Sequence, residues 1–221
     1  MAAAALPLSP LSPAHPETPE TVALPLYDAV PTGRLLELSG ALALGRTTSA
    51  VALVAAAQHR DEPVVWVQPR GGALYPPDLA DAGIDLDALV VVHTPCSCVG
   101  ACQRRLCKSR GHGVARAAEL LMRSGAFGLV VLDLTDGTPP GDAWLGRLGG
   151  LARQHEARIA ILTSRRDDEP SVGPLVGLRV APARDRRAPG RFVIEHRVIK
   201  DKLGLPTGVA AARHRAPPGL G

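Results

Sequence analysis

With 221 residues and a mass of 23.0 kDa, the chain can bury one sizeable α/β core and is too short for two. Its longest apolar runs are strand-sized, well short of the roughly 20 residues that cross a bilayer, so a soluble chain with no membrane partner is expected. A formal charge of +4 and 3% aromatic residues speak against base-stacking platforms for single strands and leave phosphate contacts as the route to nucleic acid.

The opening "MAAAALPLSPLSPAHPETPE" lacks a basic n-region and a sustained apolar h-region, so no secretory signal is expected and the compartment reads as the cytoplasm. Residues 1–31 are rich in Pro and Ala without apolar periodicity, and 204–221 are similar, so both are expected to be flexible or peripheral. Between them, over 32–203, strand-like and helix-like segments alternate. "RLLELSG" is followed by a helix from Thr47 to Arg60, then "VVWVQ", a short helix near Pro77 to Ala82, and "LVVVH". After a cysteine-rich insertion at 96–112 come a helix from Val114 to Ser124, "GLVVLDL", a helix from Asp142 to His155, and "RIAILTS". This pattern predicts an α/β fold with a mainly parallel sheet covered on both faces. "GLRVAPARD" and "GRFVIEHRVIKDK" predict an antiparallel extension at the C-terminal end.

The first strand runs into Gly40, four further residues, Gly45, Arg46, Thr47 and Thr48, and then a helix. This is the Walker A layout with Arg in place of Lys. Glycines let backbone amides curl around phosphates, the helix N-terminus adds its dipole, the Lys reaches the outer phosphates and the hydroxyl holds magnesium. Arg46 keeps the charge but is larger and planar. Asp133 ends "GLVVLD", where a carboxylate meets the magnesium shell of such a site; the plainer readings are an ordinary strand-to-helix turn and a helix cap. The cluster "CSCVGACQRRLC" places Cys96, Cys98, Cys102 and Cys107 within twelve residues, ahead of His112. It reads either as a thiolate site for zinc or as free thiols in a loop, the spacing being no standard zinc motif.

The blocks "GRLLELSGALALGRTTSAVALVAAAQ", "GIDLDALVV", "AAELLMRSGAFGLVVLD" and "VIKDKLGLP" resemble the RecA recombinase family, in that family's order, over roughly Thr32 to Pro206. The resemblance is closest to the shortened RecA-like accessory proteins of the ImuA (SulA-like) group. It implies a RecA-type P-loop core and a vestigial ATP site at Gly40, Gly45, Arg46, Thr47, Thr48 and Asp133. It also implies a role in SOS-induced, error-prone translesion synthesis, with a RecA-type recombinase, an ImuB-type Y-family polymerase homologue and a DnaE-like polymerase as partners. Lys200 and Lys202 match the family's Lys-x-Lys pair, which reaches toward a neighbouring subunit; the alternative is two solubilising lysines on an edge strand.

The chain departs from that pattern where catalysis resides. "VQPRGG" puts Gln68, Pro69 and Arg70 where the recombinase carries its catalytic Glu, and the two DNA-binding loops are cut to "LTDGTPPGD" and "DDEPSVGP". A non-catalytic or weakly catalytic adaptor is therefore expected, the alternative being a DNA-dependent ATPase with a variant loop. Weak DNA contact, if made, is assigned to Arg165, Arg166, Arg184, Arg186 and Arg187; the competing reading is a solvated charged face.

Overall fold

The structure is a computed structural model that describes residues 25–72, 74–95, 108–137, 141–188, 191–205 and 208–215, with the backbone alone for 108–110, 187, 188 and 215. The cluster Cys96, Cys98, Cys102 and Cys107 lies outside the described residues. The elements in chain order are β1 (Leu35–Ser39), α1 (Arg46–Gln58), β2 (Val64–Pro69), α2 (Pro76–Asp81), β3 (Leu89–Thr94) and α3 (Lys108–Ser124), followed by β4 (Leu129–Asp133), α4 (Asp142–Gln154), β5 (Arg158–Thr163), β6 (Leu178–Ala188), β7 (Arg191–Asp201) and β8 (Ala212–Arg215).

The strands form one eight-stranded sheet in the order β3-β2-β4-β5-β1-β6-β7-β8. From β3 to β6 every pairing is parallel, and β6-β7-β8 is antiparallel. Strand periodicity divides the core in two. Leu36, Leu38, Trp66, Val131, Leu162 and Val180 face α1, whose Ala50, Leu53, Val54 and Ala57 pack against them. Leu35, Val65, Val67, Leu132, Ile159 and Ile161 face α3 and α4, through Val114, Met122, Leu145 and Leu148. Helix boundaries follow local chemistry: Gly125, with φ +67, ends α3 in a left-handed turn whose N–H donates to the Met122 carbonyl at 3.2 Å.

Packing extends past the expected core limits of 32 and 203. Leu26, Tyr27, Ala29 and Val30 are buried among the core residues on the α1 side. The guanidinium groups of Arg60 and Arg158 both lie over the Tyr27 ring, at 4.6 and 4.4 Å from its centre. Periodicity did not reveal this segment because it is a turn rather than a helix or strand. At the other end β8 pairs with β7, with Phe192 opposite His214 and Ile194 opposite Ala212. Part of the presumed tail is therefore an edge strand.

Candidate functional site

Because β1, β4, β5 and β6 are parallel, their carboxyl ends share one edge of the sheet, where open α/β folds place their ligand crevices. The Gly40–Gly45 loop leaves β1 there, with Gly40 at φ +140, Ala43 at φ +67 and Gly45 at φ +99. Gly45 is doubly required: its backbone is left-handed, and a Cβ would lie 2.5 Å from Ile194 Cδ1 of β7. The loop is thus pressed against the antiparallel arm, which also meets α1 through a 3.0 Å hydrogen bond between Ser49 Oγ and His196 Nε2.

Arg46 begins α1, yet its side chain turns back into the loop and is only 7% exposed. Its Nη1 donates to the carbonyl of Gly40 and, at 2.8 Å, to that of Thr163 at the end of β5. Burial lowers the guanidinium pKa, an effect opposed by the charges of Asp133 and Asp136. Its Nε has no partner among the described residues. The side chain expected to reach outward to phosphate instead binds the loop's own carbonyl. Thr47 and Thr48 are half-buried on the first turn of α1.

Asp133 is buried, and its Oδ1 accepts from the N–H of Thr135 at 3.0 Å and from Thr135 Oγ1 at 2.7 Å. On the adjacent strand, one step beyond the Val67–Leu132 register pair, Gln68 lies on the same α1-facing side. Gln68 is buried and its Oε1 has no hydrogen-bond partner among the described residues. A neutral amide cannot take a proton from water, and Arg70 beyond it is exposed and cationic. The strand ends therefore assemble Arg46, Asp133 and Gln68 with no carboxylate on β2.

The other face of the same edge carries a network that the motif search did not single out. Glu37 of β1 and Arg179 of β6 are 0% and 1% exposed. Glu37 accepts from Thr163 Oγ1 at 2.7 Å and from the Val172 N–H at 2.9 Å. Arg179 donates to Ser39 Oγ at 2.9 Å and to the carbonyls of Arg166 and Glu169. The available signal was one charge inside each of two apolar strands, "LLELS" and "LRV". Together these bonds tie the segment after β5 to the sheet.

That tie separates the five arginines assigned to DNA. Arg165 donates to the Pro170 carbonyl, Arg166 pairs with Asp168, and neighbouring Arg197 pairs with Asp167. Within the loop, Arg166 alone of these has an acidic partner from the loop itself, while Asp167 serves Arg197 of β7 and Arg165 is held by a backbone carbonyl. Arg184 and Arg186 are exposed on the part of β6 that runs beyond its pairing with β1, Arg184 lying 4.0 Å over the Phe192 ring. The Arg187 side chain lies outside the described residues. The β7-β8 register brings exposed Arg191 and Arg213 to the same arm. Lys200 donates to Ser171 Oγ and the Gly173 carbonyl, and Lys202 to the Pro174 carbonyl, so both lysines hold the 171–174 turn. Burial, followed by the charge of Lys202, lowers the Lys200 pKa.

Fold and site together define a parallel α/β protein with a strand–glycine loop–helix unit at its sheet edge. Among curated proteins, part of the chain is similar to the protein RecA of Fusobacterium nucleatum, 31% identical over 104 residues, which are 47% of this chain and 24% of that protein. It is also similar to the RecA proteins of Aquifex pyrophilus and Chlamydia pneumoniae, each 28% identical over 130 residues, or 59% of this chain and 33% of theirs. The chain thus spans a quarter to a third of the length of these relatives. No family model matches it. No described helix is long and apolar enough to cross a membrane.

Proposed function

We propose that this protein is a RecA-like accessory factor of DNA repair that acts through protein contacts and does not turn over nucleotide. The observation that carries this reading is Arg46, whose guanidinium occupies the Gly40–Gly45 loop and is bonded to the carbonyls of Gly40 and Thr163. The loop in this form does not fit a triphosphate: an incoming phosphate must displace the guanidinium and would find no general base, since Gln68 and Arg70 stand where a carboxylate would be needed. The resemblance to the ImuA group narrows the setting to SOS-induced, error-prone translesion synthesis. A RecA-type recombinase and an ImuB-type polymerase homologue are the direct partners, with a DnaE-like polymerase in the same assembly.

DNA contact is secondary and belongs to the arm, through Arg184, Arg186 and their neighbours Arg191 and Arg213, rather than to Arg165 and Arg166, which are bonded within their own loop. The test is a pull-down from damaged cells with mass spectrometry, run beside phosphate-release assays with and without single-stranded DNA. Capture of the recombinase or the polymerase homologue with no phosphate release is the expected result. DNA-stimulated turnover abolished by Asp133→Asn, with neither partner captured, would replace this reading with that of an independent ATPase.

A further inference from the structure

The sheet ends on one side at β3, and the outer side of that strand meets no other strand among the described residues. The Arg70 N–H donates to the Thr94 carbonyl at 2.9 Å, so at Thr94 the backbone of β3 points toward β2. Strand alternation then turns the N–H and C=O groups of Val91 and His93 outward. Such an edge is commonly blunted by lysine, proline or a bulge. β3 has none of these: its sequence is LVVVHT, and its six residues pair with β2 without a shift. Val90 and Val91, on opposite faces of the strand, are 46% and 37% exposed, and Leu86 just before it is 41% exposed.

Charge decides what this edge accepts. Residues 71–92 contain four aspartates and no lysine or arginine, in a chain whose formal charge is +4. Asp78 and Asp81 lie on α2, and Asp85 and Asp87 in the turn that enters β3. All four are exposed, and none has an ion-pair partner among the described residues. Leu79 of α2 and Leu89 of β3 share one core cluster, so the acids flank the face of β3 that carries Leu89 and Val91. The turn is held in place. Gln58 of α1 bonds the carbonyl and the N–H of Asp85 at 2.8 and 3.0 Å, and Asp85 Oδ1 accepts from the Asp87 N–H at 2.9 Å. Fixed, unneutralised carboxylates repel nucleic acid and acidic chains and attract cationic ones. We infer that the β3 edge is a docking site for an extended segment of a partner protein in which apolar and basic residues alternate. The segment adds as a further strand through the backbone of Val91 and His93, its apolar side chains beside Val90 and its basic ones toward the aspartates. This surface goes beyond the proposed accessory role and does not depend on it.

A short fluorescent peptide of alternating valine and arginine, titrated into the full chain by anisotropy, tests the inference, with exchange of single amides followed by NMR. The peptide should bind saturably, and its counterpart of alternating valine and glutamate should not. N-methylation at every peptide residue keeps the charge but removes the strand's donors, and should weaken binding by at least about tenfold. Asp81→Lys combined with Asp87→Lys should weaken it by a similar factor. Asp85, which holds the turn, is left in place, so the circular dichroism spectrum should not change. The Val91 and His93 amides should exchange rapidly in the free protein and at least about tenfold more slowly in the complex. Equal binding of the N-methylated peptide, indifference to the aspartate variant, or unprotected Val91 and His93 in the complex would each overturn the inference. Protection of those two amides already in the free protein would do the same, because the edge would then be covered by the chain itself or by a second copy.

Discussion

A guanidinium in place of an ammonium changes what the loop at the end of β1 can hold. Arg46 has enough donors and reach to satisfy the Gly40 and Thr163 carbonyls at once, so the loop is closed on its own side chain. Arg46→Lys should free the loop for phosphate and raise nucleotide affinity by at least about tenfold in calorimetric titrations. It should leave hydrolysis absent, because a general base contributes about 10²–10⁴ in rate and Gln68 supplies none. Arg179 and Glu37 act at the same scale. Arg179→Met leaves Glu37 buried without its cationic neighbour, and chemical denaturation should show a loss of about 3–5 kcal/mol. Arg165→Ala, in a half-buried side chain whose one bond to the Pro170 carbonyl is open to solvent, should cost about 1 kcal/mol or less.

Among the elements, the contact between the antiparallel arm and α1 sets the loop's shape. Gly45→Ala must bear both the positive φ and the overlap with Ile194, and should destabilise the fold by about 1–3 kcal/mol. Combining it with Ile194→Ala should recover the steric part of that loss alone, so a double-mutant cycle will show coupling. The same contact is sensitive to pH. His196 donates from Nδ1 to the Ala210 carbonyl and accepts at Nε2 from Ser49, while His214 stacks on Phe192 at 5.5 Å. Burial lowers both imidazole pKa values, and for His214 the nearby charge of His196 adds to the effect. The folded state thus resists protonation that the unfolded chain accepts below its ordinary pKa near 6.5. Stability is retained above that pH and falls as pH drops through it toward the depressed folded values. The slope is about 1.4 kcal/mol per pH unit for each histidine involved. Urea titrations between neutral and mildly acidic pH measure this loss, and His196→Gln should flatten it.

At the scale of the whole molecule, charge is distributed unevenly between two basic segments. In the loop after β5 Arg166 pairs with Asp168, Asp167 pairs with Arg197 of β7 and Arg165 bonds the Pro170 carbonyl, whereas the arm projects Arg184, Arg186, Arg191 and Arg213 beyond the end of β1. Replacing the four arm arginines with Gln should weaken binding to single-stranded DNA and reduce its salt dependence in fluorescence anisotropy titrations. Replacing Arg165 and Arg166 should change either property little.

Much of the architecture was legible in the sequence because a buried parallel strand is a nearly continuous apolar run and its covering helices repeat at a different period. "LVVL" and "RIAIL" therefore appeared as β4 and β5, the glycine spacing appeared as the loop between β1 and α1, and the last two long segments appeared as an antiparallel pair. Tyr27 and its neighbours were not legible, because a buried turn has no period and its partners Arg60 and Arg158 lie far along the chain. Nor could spacing reveal which way Arg46 points, since that depends on the Thr163 carbonyl delivered by β5, which the sheet inserts between β1 and β4. The Glu37–Arg179, Arg166–Asp168 and Arg197–Asp167 pairs follow the same rule. Residue type and local spacing determined strands, helices and the identity of the loop, whereas the partners of each charge were decided only when the folded sheet brought distant segments within hydrogen-bonding distance.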